Sequence, residues 1–232
     1  MKMTVLQTGG DFEVNTYIVP LNDNNVFVVD PADCEFCGDR FKVVNHLKEN
    51  GLNPVAVVLT HGHFDHVIGL RDFRAAYPDV PILIHVDDRG YISENSEFVQ
   101  GNHLKLIRDG MRILPYVTNL PPPTEYLLSD KTLGILDCFK GKEPELIESL
   151  NKWTVLWTPG HTPGGVCLYN AEEKTLISGD TIFYQGVGRW DRPLADEEML
   201  MESVRRVYRT IPGDTRVYPG HELYGFELKE NF

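Results

Sequence analysis

The 232-residue sequence predicts an α/β protein in which two similar halves pack sheet against sheet with helices outside, a four-layer αββα sandwich. Three observations predict it. Apolar, β-branched runs alternate with stretches of helical periodicity in both halves. In each half an aspartate closes a strand (Asp30, Asp180), a helix follows, and a later strand ends in a histidine (His61, His221), 31 residues on in one half and 41 in the other. Five of the eight histidines also fall at strand ends or in the turns just after them. A hydrophobic content of 42% at this length is enough for one substantial core. A single domain spanning 1–232 is therefore expected, with an insertion or cap within 87–152.

Taken in order, residues 3–8, 12–19 and 25–29 are short β-rich runs parted by Gly9-Gly10-Asp11 and Asn22-Asp23-Asn24-Asn25, an antiparallel meander that stops at Asp30-Pro31. Phe41, Val43, Val44 and Leu47 recur at helical spacing, ended by Asn50-Gly51. Val55 to Leu59 reads as a buried strand. Val67, Ile68, Leu70 and Phe73 then mark a helix from near Asp65 to about Tyr77, stopped by Pro78, and Val80 to His85 is another buried strand. From Asp87 to Lys152 the pattern weakens, broken by Gly90, Gly101, Gly110 and Pro121-Pro122-Pro123; Leu104, Leu106 and Ile107 suit one helix, and Leu146, Ile147 and Leu150 another. Tyr91, Phe98, Tyr116 and Tyr126 could line a pocket, although such aromatics more often form a small core of their own. Order returns with a strand from Trp153 into Thr158-Pro159-Gly160-His161, strands Val166 to Tyr169 and Lys174 to Ser178, a helix from Glu197 to Arg209, and a last strand into Tyr218-Pro219-Gly220-His221.

Composition excludes some functions. With 22 basic and 34 acidic residues the net charge is -12, which argues against a protein that holds nucleic acid by neutralising phosphates. The N-terminus lacks the apolar core of a signal peptide and no run approaches a membrane span, so a soluble cytoplasmic protein with no membrane partner is expected. Its oligomeric state is not encoded in any readable pattern. Cys34 and Cys37 form a C-x-x-C pair, which without a second such pair reads as two free thiols.

The chemistry centres on Thr60-His61-Gly62-His63-Phe64-Asp65-His66, three imidazoles and a carboxylate in seven residues. Imidazole nitrogen and carboxylate oxygen suit zinc, iron or manganese. With His161, Asp180 and His221 the candidate ligands number seven, too many for one tetrahedral ion. We assign His61, His63 and His161 to one ion, Asp65, His66 and His221 to a second, and Asp180 as the bridge, which leaves each ion an open position. Two zinc ions are expected, with iron or a mixed iron and zinc pair as alternatives, and hydrolysis is the natural reaction. Asp65 is the catalytic candidate, as a carboxylate able to accept a hydrogen bond from the nucleophile. Asp30 reads either as a carboxylate that orients a ligand histidine or as a turn residue before Pro31. His46, His85 and His103 read as ordinary surface or packed histidines.

The Thr60–His66 stretch, with Gly160-His161, Gly179-Asp180 and Gly220-His221, resembles the metallo-β-lactamase superfamily over nearly the whole chain. Within it, Ser178-Gly179-Asp180-Thr181-Ile182-Phe183, Gly186-Val187-Gly188-Arg189 and Gly220-His221-Glu222 are most similar to glyoxalase II, the hydroxyacylglutathione thioesterase. That resemblance implies a metal-bridging hydroxide attacking a small-molecule thioester such as S-D-lactoylglutathione, with Arg189 helping to bind the substrate. Arg189 reads equally as the partner of Asp191 in a loop salt bridge. Only eleven residues follow His221, where longer glyoxalase II enzymes carry a helical domain, so tolerance of other thiol carriers is expected. Arg189-Trp190-Asp191 also resembles the persulfide dioxygenases of the superfamily, which bind one iron through the positions of His61, His161 and Asp180; that is the alternative function. A secreted β-lactamase is disfavoured by Asp180, where the commonest such enzymes have cysteine, and a binding module has no need of seven ligands with open positions.

Overall fold

A computed structural model of the chain describes residues 2–231. The opening meander is β1 (Thr4–Thr8), β2 (Val14–Pro20) and β3 (Asn25–Val29), paired antiparallel. Helix α1 (Lys42–Glu49) buries Val43, Val44 and Leu47, as their spacing predicts, and returns the chain to β4 (Asn53–Val58), parallel to β3. Two short helices follow, α2 (Phe64–Val67) and α3 (Leu70–Ala76), then β5 (Ile82–His85), parallel to β4. The single helix expected here is broken at Gly69. Its N–H donates to the Pro31 carbonyl at 3.1 Å, and a Cβ at Gly69 would lie 2.5 Å from that oxygen, so the helix is pinned against the loop that leaves β3.

The 87–152 segment divides into parts with different attachments. Helices α4 (Ser96–Leu104) and α5 (Leu114–Val117) join the helical layer outside the first sheet. Strand β6 (Glu125–Leu127) pairs parallel with β5 and is the sixth strand of that sheet. Helix α6 (Pro144–Asn151), with proline at its first turn, inserts Leu146 and Leu150 into the core between the two sheets. The second half runs through β7 (Trp153–Trp157), β8 (Val166–Asn170), β9 (Thr175–Gly179), a small hairpin of β10 (Ile182–Phe183) and β11 (Gly186–Val187), α7 (Glu197–Thr210), β12 (Arg216–Pro219) and β13 (Phe226–Glu227). The Asp196 side chain caps α7 by accepting from Met199 N at 2.9 Å.

The first sheet has the order β1-β2-β3-β4-β5-β6 and the second β13-β12-β9-β8-β7. Tyr17, Val19, Phe27, Val29, Ala56, Val58 and Leu83 of the first face Trp153, Val155, Val166, Leu168 and Ile177 of the second. Phe27 and Trp153 meet edge to face at 5.3 Å. The opposite face of the first sheet packs on α1, α3 and α4, and that of the second on α7 through Leu200, Val204 and Val207. This is the αββα order the alternating runs predict, because each strand of a sheet covered on both sides must be apolar on both faces. Among the described residues no helix is long and apolar enough to cross a membrane.

The parallel pairs β3/β4 and β9/β12 end side by side, and the loops from their carboxyl ends meet. Val166 N donates to the Thr60 carbonyl at 2.8 Å and Asn15 N to the Gly220 carbonyl at 2.7 Å, so backbone bonds sew the two halves together where the strands stop. That junction is the crevice in which α/β sheets bind ligands.

Candidate metal centre

All seven sequence-predicted ligands converge on this junction. His61, His63 and His161 place one nitrogen each within 4.8 Å of one another, and Asp65, His66 and His221 place their ligand atoms equally close. Asp180 lies between the groups: its Oδ1 is 3.4 Å from His66 Nε2, and its Oδ2 is 3.5 Å from His161 Nε2 and 3.6 Å from His221 Nε2. The structure thus brings together one cluster of three imidazoles and a second of two imidazoles and a carboxylate, with Asp180 between them.

Ring orientation is set from outside. His161 Nδ1 donates to the Arg189 carbonyl at 2.8 Å, and His221 Nδ1 to the Phe12 carbonyl at 2.9 Å. His66 Nδ1 donates to Asp30 Oδ2 at 2.9 Å. Asp30 thus serves as an orienting carboxylate: it takes a left-handed φ of 50° at the end of β3, a conformation aspartate tolerates, and also accepts from Thr60 N at 2.8 Å and Thr60 Oγ1 at 2.5 Å. With its oxygens so engaged, Asp30 is a support and not a ligand, although it lies near His61 and His66. Gly220 lets the second strand end approach: a Cβ there would sit 2.2 Å from Asp180 Oδ1 and 2.7 Å from His66 Cε1.

The donor set fits metal ions. His61 Nε2, His63 Nε2, His161 Nε2 and Asp180 Oδ1 are buried and have no hydrogen-bond partner among the described residues, which is costly unless a cation binds there. His66 Nε2 and His221 Nε2 stand 3.1 Å apart with both Nδ1 hydrogens committed elsewhere, so two lone pairs face each other unless a cation or proton lies between them. Burial drives the His61, His63 and His161 imidazoles below their ordinary value, leaving them neutral and free to ligate. At His221 burial acts in the same sense, but Asp180 and Asp65 overcome it and push the imidazole up to about 10. Burial likewise disfavours ionised Asp65, yet its hydrogen bond with His221 and the fields of His66, His221 and His63 hold it well below the usual carboxylate range.

Over the centre opens a cleft of about 480 Å³, of a size for a small organic substrate. Phe12, Phe64, Ile107, Phe183 and Val187 form an apolar wall, and Arg189, Arg192 and His103 supply polar groups. Arg189 lines the cleft and is also engaged side-on by Asp191, at 2.9 and 2.7 Å, while Arg192 has no ion pair among the described residues. None of Tyr91, Phe98, Tyr116 and Tyr126 reaches the cleft lining: Tyr91 is buried behind His63, Phe98 is exposed, Tyr116 packs on Phe36 and Tyr126 lies out on β6.

Three residues escaped sequence reasoning. His103, read as an ordinary histidine, lies 4.7 Å from His63 ring to ring, and burial, with Arg192 and His161 beside it, lowers it to about 4. No spacing signal marks it or Arg192. Asp88 is fully buried and bridges the two halves, accepting from Gly62 N at 2.8 Å, Thr162 Oγ1 at 2.7 Å and Gly164 N at 2.6 Å. It ties the His61/His63 loop to the His161 loop, and its place just past a strand end is the signal that could have found it.

Paired imidazole and carboxylate clusters at the strand ends of an αββα sandwich define the class, a metal-dependent hydrolase scaffold. The metallo-beta-lactamase superfamily domain matches residues 9–221, and the chain belongs to that superfamily. It is 30% identical to the probable metallo-hydrolase YqgX of Bacillus subtilis, over 91% of this chain and 86% of that one. It is 25% identical to the hydroxyacylglutathione hydrolase GloC of Haemophilus influenzae, over 95% of this chain and 92% of that one. Among solved structures it resembles BLEG-1 B3 metallo-beta-lactamase, with a TM-score of 0.78, 25% identity and coverage of 99% and 95%. TTHA1623 in a di-iron-bound form gives 0.74, 27%, 99% and 96%.

Proposed function

We propose that the chain is a binuclear metal-dependent thioester hydrolase that cleaves S-D-lactoylglutathione or a similar small acyl thioester. The observation that carries the hydrolase reading is the second cluster, Asp65, His66 and His221, assembled in full beside the first, since a mononuclear oxygenase site needs only two histidines and one carboxylate. His61, His63 and His161 would hold one ion, Asp65, His66 and His221 the other, and Asp180 both. Zinc suits these nitrogen and oxygen donors, as does iron in one or both positions. Ions held there would supply Lewis acidity and a water acidic enough to act as nucleophile near neutral pH.

The chain's own groups do the rest. Asp65 stays ionised and turns a carboxylate oxygen into the cleft, where it accepts a hydrogen bond from the attacking water and orients it. Carbonyls of Arg189 and Phe12 and the carboxylate of Asp30 lock the imidazoles, so no reorganisation is needed as charge develops. The apolar wall excludes water around the acyl group. Arg192, with Arg189 when released from Asp191, offers a fork for a substrate carboxylate. The thioester class is supported by the likeness to GloC over nearly its full length. A cytoplasmic location, where small thiol carriers abound, goes with this reading.

The test uses one metal-analysed preparation, assayed for loss of the S-D-lactoylglutathione thioester and for oxygen uptake with glutathione persulfide. Thioester cleavage without oxygen uptake, on protein holding two metal equivalents, is expected. Oxygen uptake alone, with a single iron, would replace the reading with a dioxygenase, and neither activity would overturn the substrate assignment.

A further inference from the structure

The C-x-x-C pair plays no part in the hydrolysis, yet it packs behind the turn that carries Phe12 into the wall of the site. Cys34 and Cys37 share a hydrogen bond, Sγ to Sγ, of 3.0 Å, and Cys37 N donates to Cys34 Sγ at 3.2 Å. The turn is closed by Gly38, whose φ of +79° only glycine adopts freely and whose N–H donates to the Glu35 carbonyl at 3.1 Å. Cys34 is buried and Cys37 half-buried. No cluster of potential metal ligands among the described residues includes either sulfur, so half a zinc site is not the explanation.

The pair is joined to the metal centre through one turn. Asp39 accepts from Cys34 N at 3.0 Å and from Gly9 N at 2.8 Å, tying the C-x-x-C loop to residues 9–12. Gly10 lies so close that a Cβ on it would meet the Cys37 carbonyl at 2.6 Å. Two residues on, the Phe12 carbonyl holds His221 Nδ1, and the Phe12 ring packs edge-on against Phe64, 5.1 Å away, in the cleft wall.

We propose that Cys34 and Cys37 are a reversible dithiol–disulfide site whose closure loosens the turn that orients His221. The oxidant is a small-molecule disulfide. Cys37, the more accessible sulfur, attacks one sulfur of R–S–S–R; that bond breaks and the first R–SH leaves with the proton Cys37 gives up. Cys34 then attacks Cys37 Sγ, expels the second R–SH with its own proton, and forms the intrachain bond. Two protein thiols lose two electrons and one disulfide becomes two thiols; excess thiol reverses both steps. In the mixed disulfide the Cys37 N–H, 3.2 Å from Cys34 Sγ, still donates to that sulfur and favours its thiolate as the closing nucleophile. Closure brings the sulfurs from 3.0 Å to about 2.05 Å and shifts the Cys37 backbone against Gly10.

The experiment equilibrates the zinc-loaded protein in glutathione buffers from fully reduced to fully oxidised, quenches with acid, alkylates and maps the thiols by mass spectrometry. In parallel it follows zinc transfer to a chromophoric chelator. Cys34 and Cys37 should vanish together into one intrachain disulfide while Cys138 and Cys167 remain alkylated, and dithiothreitol should restore both. Zinc should leave the oxidised protein severalfold faster, and Cys37→Ser should abolish that dependence on oxidation. Persistent free thiols, or a lasting glutathione adduct on Cys37, would overturn the site. A disulfide with unchanged zinc transfer would overturn its link to His221. The second readout rests on the metal reading above, whereas the thiol map decides the site even if that reading fails.

Discussion

Asp88→Ala removes a side chain that touches no ligand directly, so its effect measures how far the centre depends on support from behind. Three buried donors, Gly62 N, Gly164 N and Thr162 Oγ1, lose their acceptor. At about 1–3 kcal/mol for each unsatisfied group, the loss is at least roughly 3 kcal/mol. Against it stands the cost of keeping a buried carboxylate ionised: burial raises Asp88 from 3.8 to about 6, the bonds from Thr162, Gly164 and Gly62 opposing. That is worth on the order of 3 kcal/mol at neutral pH. The net loss of stability is therefore about 0–6 kcal/mol, whereas the loss of position has no such offset. Gly62 lies between His61 and His63, and Thr162 and Gly164 follow His161, so the three imidazoles of one cluster lose their common anchor. Misplaced supports of this kind cost about 10–100-fold in metal affinity. Zinc competition titration should show that loss at one of two sites, with urea unfolding reporting the change in stability. Asp88→Asn, which retains one oxygen acceptor, should fall between. An alanine variant that binds both ions with wild-type affinity would refute the argument that Asp88 positions the loops.

Asp180→Ala should lower metal content at both positions and abolish most activity, since its oxygens face His66, His161 and His221; elemental analysis of the purified variant checks it. Asp65→Asn keeps the shape and removes the charge, and kcat should fall on the order of a hundredfold with a smaller change in KM, as measured by steady-state thioester hydrolysis. Gly220→Ala places a methyl 2.2 Å from Asp180 Oδ1 and should cost metal binding, detectable as substoichiometric zinc in folded protein. Asp33 gives a pH signature: burial raises its carboxyl from 3.8 to about 6. Its stabilising contribution is therefore complete below about pH 4 and lost as pH rises through about 6. Asp33→Asn still offers an acceptor to Val43 N but cannot ionise, so relative to wild type it should gain about 2 kcal/mol between pH 4 and 7.5 in urea unfolding, and a constant difference would refute it.

Much of this centre was readable from residue type and spacing. Coordination chemistry admits few side chains, and strands that end in Asp or His put them at a sheet edge, so His61, His63, Asp65, His66, His161, Asp180 and His221 could be named and paired before any contact was known. The two buried sheets and α7 were equally legible, because a strand covered on both faces and a helix covered on one leave different apolar periods. What periodicity could not convey was contact between segments far apart in the chain. β6 has three residues and exists as a strand only because β5 pairs with it. The break at Gly69 depends on the approach of Pro31, and the role of Asp30 on where His66 falls. His103, Arg192 and Asp88 enter the site because α4, the loop before α7 and the end of β5 converge on it. Sequence alone determined which residues had the chemistry to bind metal; the tertiary structure decided which others surround them, because burial, a missing hydrogen-bond partner and a neighbouring charge arise only once distant segments meet.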